Sequence, residues 1–128
     1  MEPSTPGDRA DSAPRVPRRW HTICALDEIA DPGAKDFVIP HDWPLHAFVV
    51  RRGDRVYAYV NVCPHAGRAL NWKPDAFLTR QGNLIMCSAH GAIFEIETGI
   101  CVAGPCPGAR LRALAARVSG GLVDVAAA

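Results

Sequence analysis

Apolar and polar positions alternate in short blocks along this chain, and turn residues break each block. That pattern predicts short strands rather than long helices. From Trp20, "WHTICALDEIADPG" reads as a strand that ends in an acidic turn. "KDFVIP" follows as a second apolar block. In "LHAFVVRRGDRVYAYVNV", two runs of β-formers flank Arg52-Gly53-Asp54-Arg55, a strong hairpin signal. "NLIMC" and "AIFEIETG" predict another hairpin. "ARLRALAARV" and "GLVDVAA" lie on either side of Ser119-Gly120-Gly121. The first of these could form a helical turn by propensity. Its alternation of Leu111, Ala113 and Ala115 against Arg110 and Arg112, followed by a glycine turn, favours strands. Short strands with regular turns predict an all-β sandwich or small barrel.

Composition narrows the picture without changing it. The 128 residues suit one domain, and 48% hydrophobic residues can supply a modest core. Residues 1–18 are Pro, Ser, Asp and Arg with almost nothing to bury, so a disordered tail is expected there, with the domain running from 19 to 128. A net charge of +1 gives no whole-chain electrostatic case for nucleic acid or an anionic membrane. No apolar run approaches the roughly 20 residues of a membrane helix. The paired Arg18 and Arg19 are followed by an acidic stretch, not by the apolar segment of a signal peptide. A cytoplasmic location is therefore expected. Five cysteines in a reducing compartment read as metal ligands or core thiols before they read as disulfides.

The chemistry concentrates in "VCPHAGRAL" and "MCSAHGAIF". Cys63 and His65 are separated by one residue, Cys87 and His90 by two. A thiolate and an imidazole on each of two tight turns make a four-point metal site. Zinc takes such a set as a closed structural site, and a mixed-ligand [2Fe–2S] cluster takes two cysteines on one iron and two histidines on the other. Ligand types alone do not decide. A zinc finger pairs its cysteines and then its histidines, the latter on a helix, whereas here each loop gives one of each in β surroundings.

"CPHAG" and "CSAHGAIFEIETG" resemble the two cluster-binding loops of Rieske proteins, and "GPCPG" (104 to 108) resembles the proline-bearing loop that covers the cluster in that family. The resemblance spans roughly Trp20 to Val125. It implies a base domain of antiparallel sheets with an inserted cluster-binding subdomain at about 61–106. It also implies one [2Fe–2S] cluster per chain, with Cys63 and Cys87 on the buried iron and His65 and His90 on the exposed one. In the respiratory branch each loop adds a cysteine, and the two form a disulfide. Arg68 and Ala89 stand at those places here, so that bond is ruled out. The same branch places a serine and a tyrosine where this chain has Ala92 and Phe94. Without those hydroxyls a low reduction potential is expected, because hydrogen bonds to sulfur favour the reduced, more negative state. The pattern resembles the bacterial Rieske ferredoxins that serve oxygenases, although the gap through "NWKPDAFLTRQGN" looks longer than in many of them. The resemblance implies electron exchange at the His65/His90 end, coupled to proton transfer at high pH.

The sequence shows no dinucleotide fingerprint and no two-histidine, one-carboxylate set with a catalytic domain around it, so neither a nicotinamide site nor an oxygenase centre is expected in it. His21, His41 and His46 read as surface loop histidines rather than, with Asp42, a second metal site. Cys24 reads as a core thiol. Cys101 and Cys106 read as packing thiols, with a redox-sensitive pair as the alternative. Trp43 and Trp72 read as core or loop anchors, with shaping of the docking surface as the alternative for Trp72, which lies in the gap between the two loops. Arg68 reads equally as a contact for an acidic partner or as a solvated charge. The function expected is that of a low-potential one-electron carrier, a monomer in isolation, between a reductase and a terminal oxygenase. The alternatives are a permanent small subunit resembling that of nitrite reductase, a zinc-stabilised binding module, and a redox sensor.

Overall fold

The computed structural model describes residues 19–40, 44–64, 67–88, 91–105 and 107–127. The expected tail at 1–18 lies outside them, as do His41, Asp42, Trp43, His65, Ala89, His90 and Cys106. Among the described residues nine strands follow in order: β1 (Arg19–Ala25), β2 (Gly33–Ile39), β3 (Leu45–Arg52), β4 (Arg55–Val60), β5 (Leu84–Met86), β6 (Ile93–Glu95), β7 (Cys101–Ala103), β8 (Ala113–Ser119) and β9 (Leu122–Ala127). A 3₁₀ turn at Leu26–Glu28 follows β1. Six strands form one antiparallel sheet in the order β1-β9-β8-β4-β3-β2, and β5-β6-β7 form a smaller antiparallel sheet. The all-β expectation is met.

The β3–β4 hairpin organises the molecule. Arg52 pairs with Arg55 across a two-residue turn in which Gly53 takes φ +63°. A β-carbon is disfavoured at that φ, which is why glycine opens the turn. Ala47, Phe48, Val49 and Val50 are all buried, an unbroken apolar run that needs cover on both faces of the sheet. Phe48, Val50 and Tyr59 face one core, which also holds Cys63, Leu70, Phe77, Ile85, Cys87, Phe94 and Leu111. Val49 and Ala58, one residue out of phase, face a second core with Cys24, Ile29, Ile39, Val123 and Val125. The two central strands are thus a wall between two packed layers, and Cys63 and Cys87, the candidate ligands, lie in the first.

Three features depart from the sequence reading. The alternation of Leu111, Ala113 and Ala115 does not persist. Leu111 is buried in the first core, but Ala113 is exposed, and Leu114, Ala116 and Val118 pack on the second. The chain crosses from one core to the other just before β8, and the inward phase resets by one residue. Strand β7 gives no signal in the sequence, because Cys101–Ala103 is too short to show a period. His21 and His46 lie on β1 and β3, not in loops.

The excursion between the ligand loops is fastened to the sheet at three points. Phe77 stacks on Phe48 with ring centroids 4.2 Å apart. Asp36 on edge strand β2 and Asp75 exchange backbone-to-carboxylate hydrogen bonds of 2.8 and 3.1 Å. A β-carbon on Gly82 would lie 2.6 Å from Pro32, so backbone and proline ring touch there.

Tyr59 joins the layers. Its buried hydroxyl donates to the Ile96 carbonyl at 2.6 Å. Burial pushes its phenol well above the ordinary tyrosine range, and the nearby Glu97 carboxylate and Tyr57 add to that. A raised folded-state pKa keeps the folded side chain neutral while the unfolded one ionises, so this contribution is intact below about pH 10 and is lost as pH rises above it. Urea unfolding from pH 8 to 11 is expected to show stability falling above about pH 10. Tyr59→Phe should flatten that fall while costing about 1 kcal/mol at pH 8 from the lost hydrogen bond. An equally steep fall in the variant would assign the effect to another group.

Candidate metal centre

Both loops that carry the candidate ligands are built on one plan. After β4, the Cys63 amide donates to the Arg68 carbonyl at 2.8 Å, and the Gly67 amide donates to the Cys63 carbonyl at 2.7 Å. After β5, the Cys87 amide donates to the Ala92 carbonyl at 2.8 Å, and the Gly91 amide donates to the Cys87 carbonyl at 3.0 Å. In each loop the partners are therefore the residue five places on and the glycine four places on. Gly67 and Gly91 have φ of +67° and +72°, and a β-carbon on either would meet nothing within 4 Å. Glycine is needed there for backbone conformation and not for room.

The plan buries both thiols, while the described loop residues that next follow each of them lie at the surface. Cys63 is 0% and Cys87 is 1% exposed, whereas Pro64, Gly67, Arg68, Ser88 and Gly91 are exposed. Two thiol groups have thus been withdrawn into one apolar core beneath two exposed turns. Thiolates are soft donors suited to iron–sulfur centres, and the apolar shell limits water access. The donor set fits a cluster held from below by cysteine sulfur. His65 and His90 lie outside the described residues.

Leu70 joins the two loops. Its amide donates to the Asn61 side-chain oxygen at 2.9 Å, and its carbonyl accepts from the Ser88 amide at 2.8 Å. The segment from Gly104 lies against the second loop. A β-carbon on Gly104 would sit 2.7 Å from the Ala92 Cα and 3.1 Å from the Gly91 carbonyl oxygen, at a φ of +96°. Of the "GPCPG" stretch, then, at least its first residue covers a ligand loop. Cys101 is buried in β7, with its thiol donating to the Ala103 carbonyl at 3.2 Å.

The remaining candidates fall elsewhere. Cys24 is buried in the second core, where burial first and Glu28 second push its thiol up, with Lys35 opposing them. It remains a neutral thiol, as its reading as a core residue requires. Trp72 is 51% exposed and does not pack as expected. With Val62 at 47% and Val102 at 48%, it leaves apolar surface on segments next to the loops. The sequence reading missed Asn61 and Phe77. An asparagine two residues before the first cysteine and a phenylalanine in a polar excursion gave no periodic signal.

Comparison with known proteins agrees with this geometry. The family described as "Rieske [2Fe-2S] domain" matches residues 19–119. The ferredoxin of carbazole 1,9a-dioxygenase from Nocardioides aromaticivorans IC177 superposes with a TM-score of 0.67 at 28% identity, covering 85% of this chain and 98% of that one. A chain from a complex of reduced oxygenase and oxidized ferredoxin in carbazole 1,9a-dioxygenase gives 0.66 at 26%, covering 84% and 92%. Among curated proteins, cholesterol 7-desaturase of Caenorhabditis elegans is 28% identical over 95 residues, 74% of this chain. The match spans only 21% of that protein's length.

Proposed function

Since the chain belongs to the Rieske [2Fe–2S] domain family, we propose that it is a Rieske-type ferredoxin that carries one electron at a time to a terminal oxygenase. The family binds a [2Fe–2S] cluster of Rieske type. Cys63 and Cys87 would hold one iron from the buried side, and His65 and His90 would hold the other. When bound, the cluster supplies a one-electron redox couple tuned by its ligands and their hydrogen bonds. The chain's own residues withdraw the thiolates from water, fix both turns through paired backbone hydrogen bonds, and close the second loop with Gly104. The observation that carries the reading is the repeated cysteine loop over a shared core.

The likeness to a dioxygenase ferredoxin along 98% of its length supports the carrier role. A chain assigned as an NADH-dependent nitrite reductase small subunit from Mycobacterium tuberculosis also superposes, with a TM-score of 0.66, covering 88% of this chain and 98% of that one. At 24% identity that likeness speaks to fold alone and does not favour the permanent-subunit reading. Partner docking belongs at the loop end, where Arg68 is exposed and Val62, Trp72 and Val102 leave apolar surface. A reductase supplies the electron, and the carrier is a cytoplasmic monomer between encounters. No helix among the described residues is long and apolar enough to cross a membrane.

A visible spectrum of the purified protein, followed by EPR after dithionite reduction, tests this reading. The expected result is a red-brown protein whose reduced signal has an average g below that of all-cysteine [2Fe–2S] proteins. A colourless, zinc-containing protein without a reduced-state signal would make the four residues a structural site and end the electron-carrier reading.

A further inference from the structure

We infer that Asn61 is a positioning residue that fixes the spacing of the two cysteine loops by holding Leu70 between them. The inference rests on reading those loops as the cluster site. Asn61 leaves β4 two residues before Cys63, and its backbone amide still donates to the His46 carbonyl on β3 at 2.9 Å. Its end of the first loop is therefore fixed to the sheet. Its side-chain oxygen accepts the Leu70 amide at 2.9 Å, and its side-chain nitrogen donates to the Asn71 side-chain oxygen, also at 2.9 Å. The Asn71 nitrogen in turn donates to the Lys73 carbonyl at 3.0 Å. Both halves of the Asn61 amide are thus engaged and its orientation is set.

Leu70 is the shared element. Its side chain is fully buried in the core that contains Cys63 and Cys87. Its amide belongs to Asn61 and its carbonyl to Ser88, the residue after Cys87. From Cys63 to Cys87 the path runs through Asn61, one hydrogen bond, Leu70, a second hydrogen bond, and Ser88. The chain route between the same residues passes through the whole excursion 71–83. The short path is the one that can set a distance. A thiolate pair serving one iron needs that distance held, and groups behind the ligands are what hold it.

Asparagine suits this position because it accepts and donates at once. Alanine would leave the Leu70 amide without its partner and loosen Leu70 from the end of β4, with the Cys63–Arg68 and Leu70–Ser88 backbone bonds left to hold the loops together. Aspartate would keep the acceptor for Leu70 while losing the donor toward Asn71 and adding a charge.

The experiment is iron release from the intact holoprotein to an excess of ferrozine, compared across variants, with EPR g values of each reduced protein. Asn61→Ala is expected to release iron about 10-fold faster, the scale seen when groups behind a metal ligand are removed. Its g values should broaden or shift. Asn61→Asp should stay within about twofold of the parent, on the same scale. Thr22→Val breaks the hydrogen bond of 2.9 Å to buried Asp124 at the far end of the sheet and controls for general destabilisation. It should leave release and g values unchanged. Parent-like release from Asn61→Ala, or equal acceleration by Thr22→Val, would overturn the inference. Should Asn61→Ala not fold, Asn61→Leu serves, since it keeps the bulk and offers no acceptor to the Leu70 amide: faster release supports the inference and a parent rate overturns it. If the parent itself holds no iron, the carrier reading fails first. Amide exchange at Leu70 and Ser88 then decides, with faster exchange in Asn61→Ala expected and unchanged exchange overturning the inference.

Discussion

Cys63→Ser and Cys87→Ser chains are expected to purify colourless, with less than about a tenth of the parent's iron, while Cys24→Ser keeps its colour; the scale follows from the loss of a soft thiolate donor. The three cysteines allow an unusually controlled comparison, because all are buried: Cys24 at 7%, Cys63 at 0% and Cys87 at 1% exposure. In each case the substitution replaces sulfur with a smaller hydroxyl in an apolar core. The cost of the side-chain change itself should be comparable, about 1–3 kcal/mol for a buried hydroxyl without a full partner set, and the two loop variants lose in addition what bound iron contributes. The side-chain cost is small enough, against a stability on the order of 5–15 kcal/mol, for all three variants to fold. What differs is place. Cys24 sits on β1 in the second core, where burial and Glu28 keep the thiol neutral. Cys63 and Cys87 open two loops of the same construction over the first core. Iron analysis, visible absorbance and far-UV circular dichroism on the three variants check the prediction. A red-brown Cys63→Ser protein with full iron would remove that residue from the ligand set. Loss of colour in Cys24→Ser would show that iron retention follows stability rather than ligation.

How far the sequence alone reaches depends on how local the signal is. The β3–β4 hairpin was legible because the β-formers and the Gly-Asp turn are adjacent, and its register fell where the turn put it. The two cysteine loops were legible as turns because cysteine and glycine recur in them at fixed short spacings. Their common hydrogen-bond plan was not, since it depends on which carbonyl each cysteine amide reaches. The phase of β8 was misread for a related reason: Leu111 and Leu114 face different cores, and nothing between them in the sequence marks the crossing. Asn61 and Phe77 were missed because their partners are remote. Phe77 has its meaning only against Phe48, and Asn61 only against Leu70. Trp72 was misread because a large aromatic predicts burial on average, whereas this one stands half in solvent beside the first loop.

Ala92→Ser is expected to raise the reduction potential by roughly 60 mV from a parent midpoint near the low end of the Rieske range, about −150 mV. The second loop closes at Ala92, whose carbonyl accepts the Cys87 amide at 2.8 Å and whose side chain is fully buried in the core that holds Cys87. Phe94, two residues on in β6, is equally buried, and it too has no hydroxyl to offer. Each added hydrogen bond to sulfur favours the reduced state, which carries one more negative charge. A preference of about 1.4 kcal/mol corresponds to a tenfold change in the equilibrium and to about 59 mV for one electron. Serine at 92 supplies a donor where the resemblance to high-potential relatives places one. The site is tight, since a β-carbon on Gly104 would already lie 2.7 Å from the Ala92 Cα. Ala92→Val therefore controls for crowding: it adds bulk without a donor and should leave the midpoint within about 10 mV, small beside a single hydrogen bond's effect. Phe94→Tyr tests the second position, and a double substitution should come close to the sum if the two donors act on the same charge independently. Spectroelectrochemical titration of all four at one pH decides the matter. A parent midpoint clearly above zero would show that other donors already serve the sulfurs. Equal shifts from serine and valine would trace the effect to displacement of the Gly104 segment instead of to hydrogen bonding.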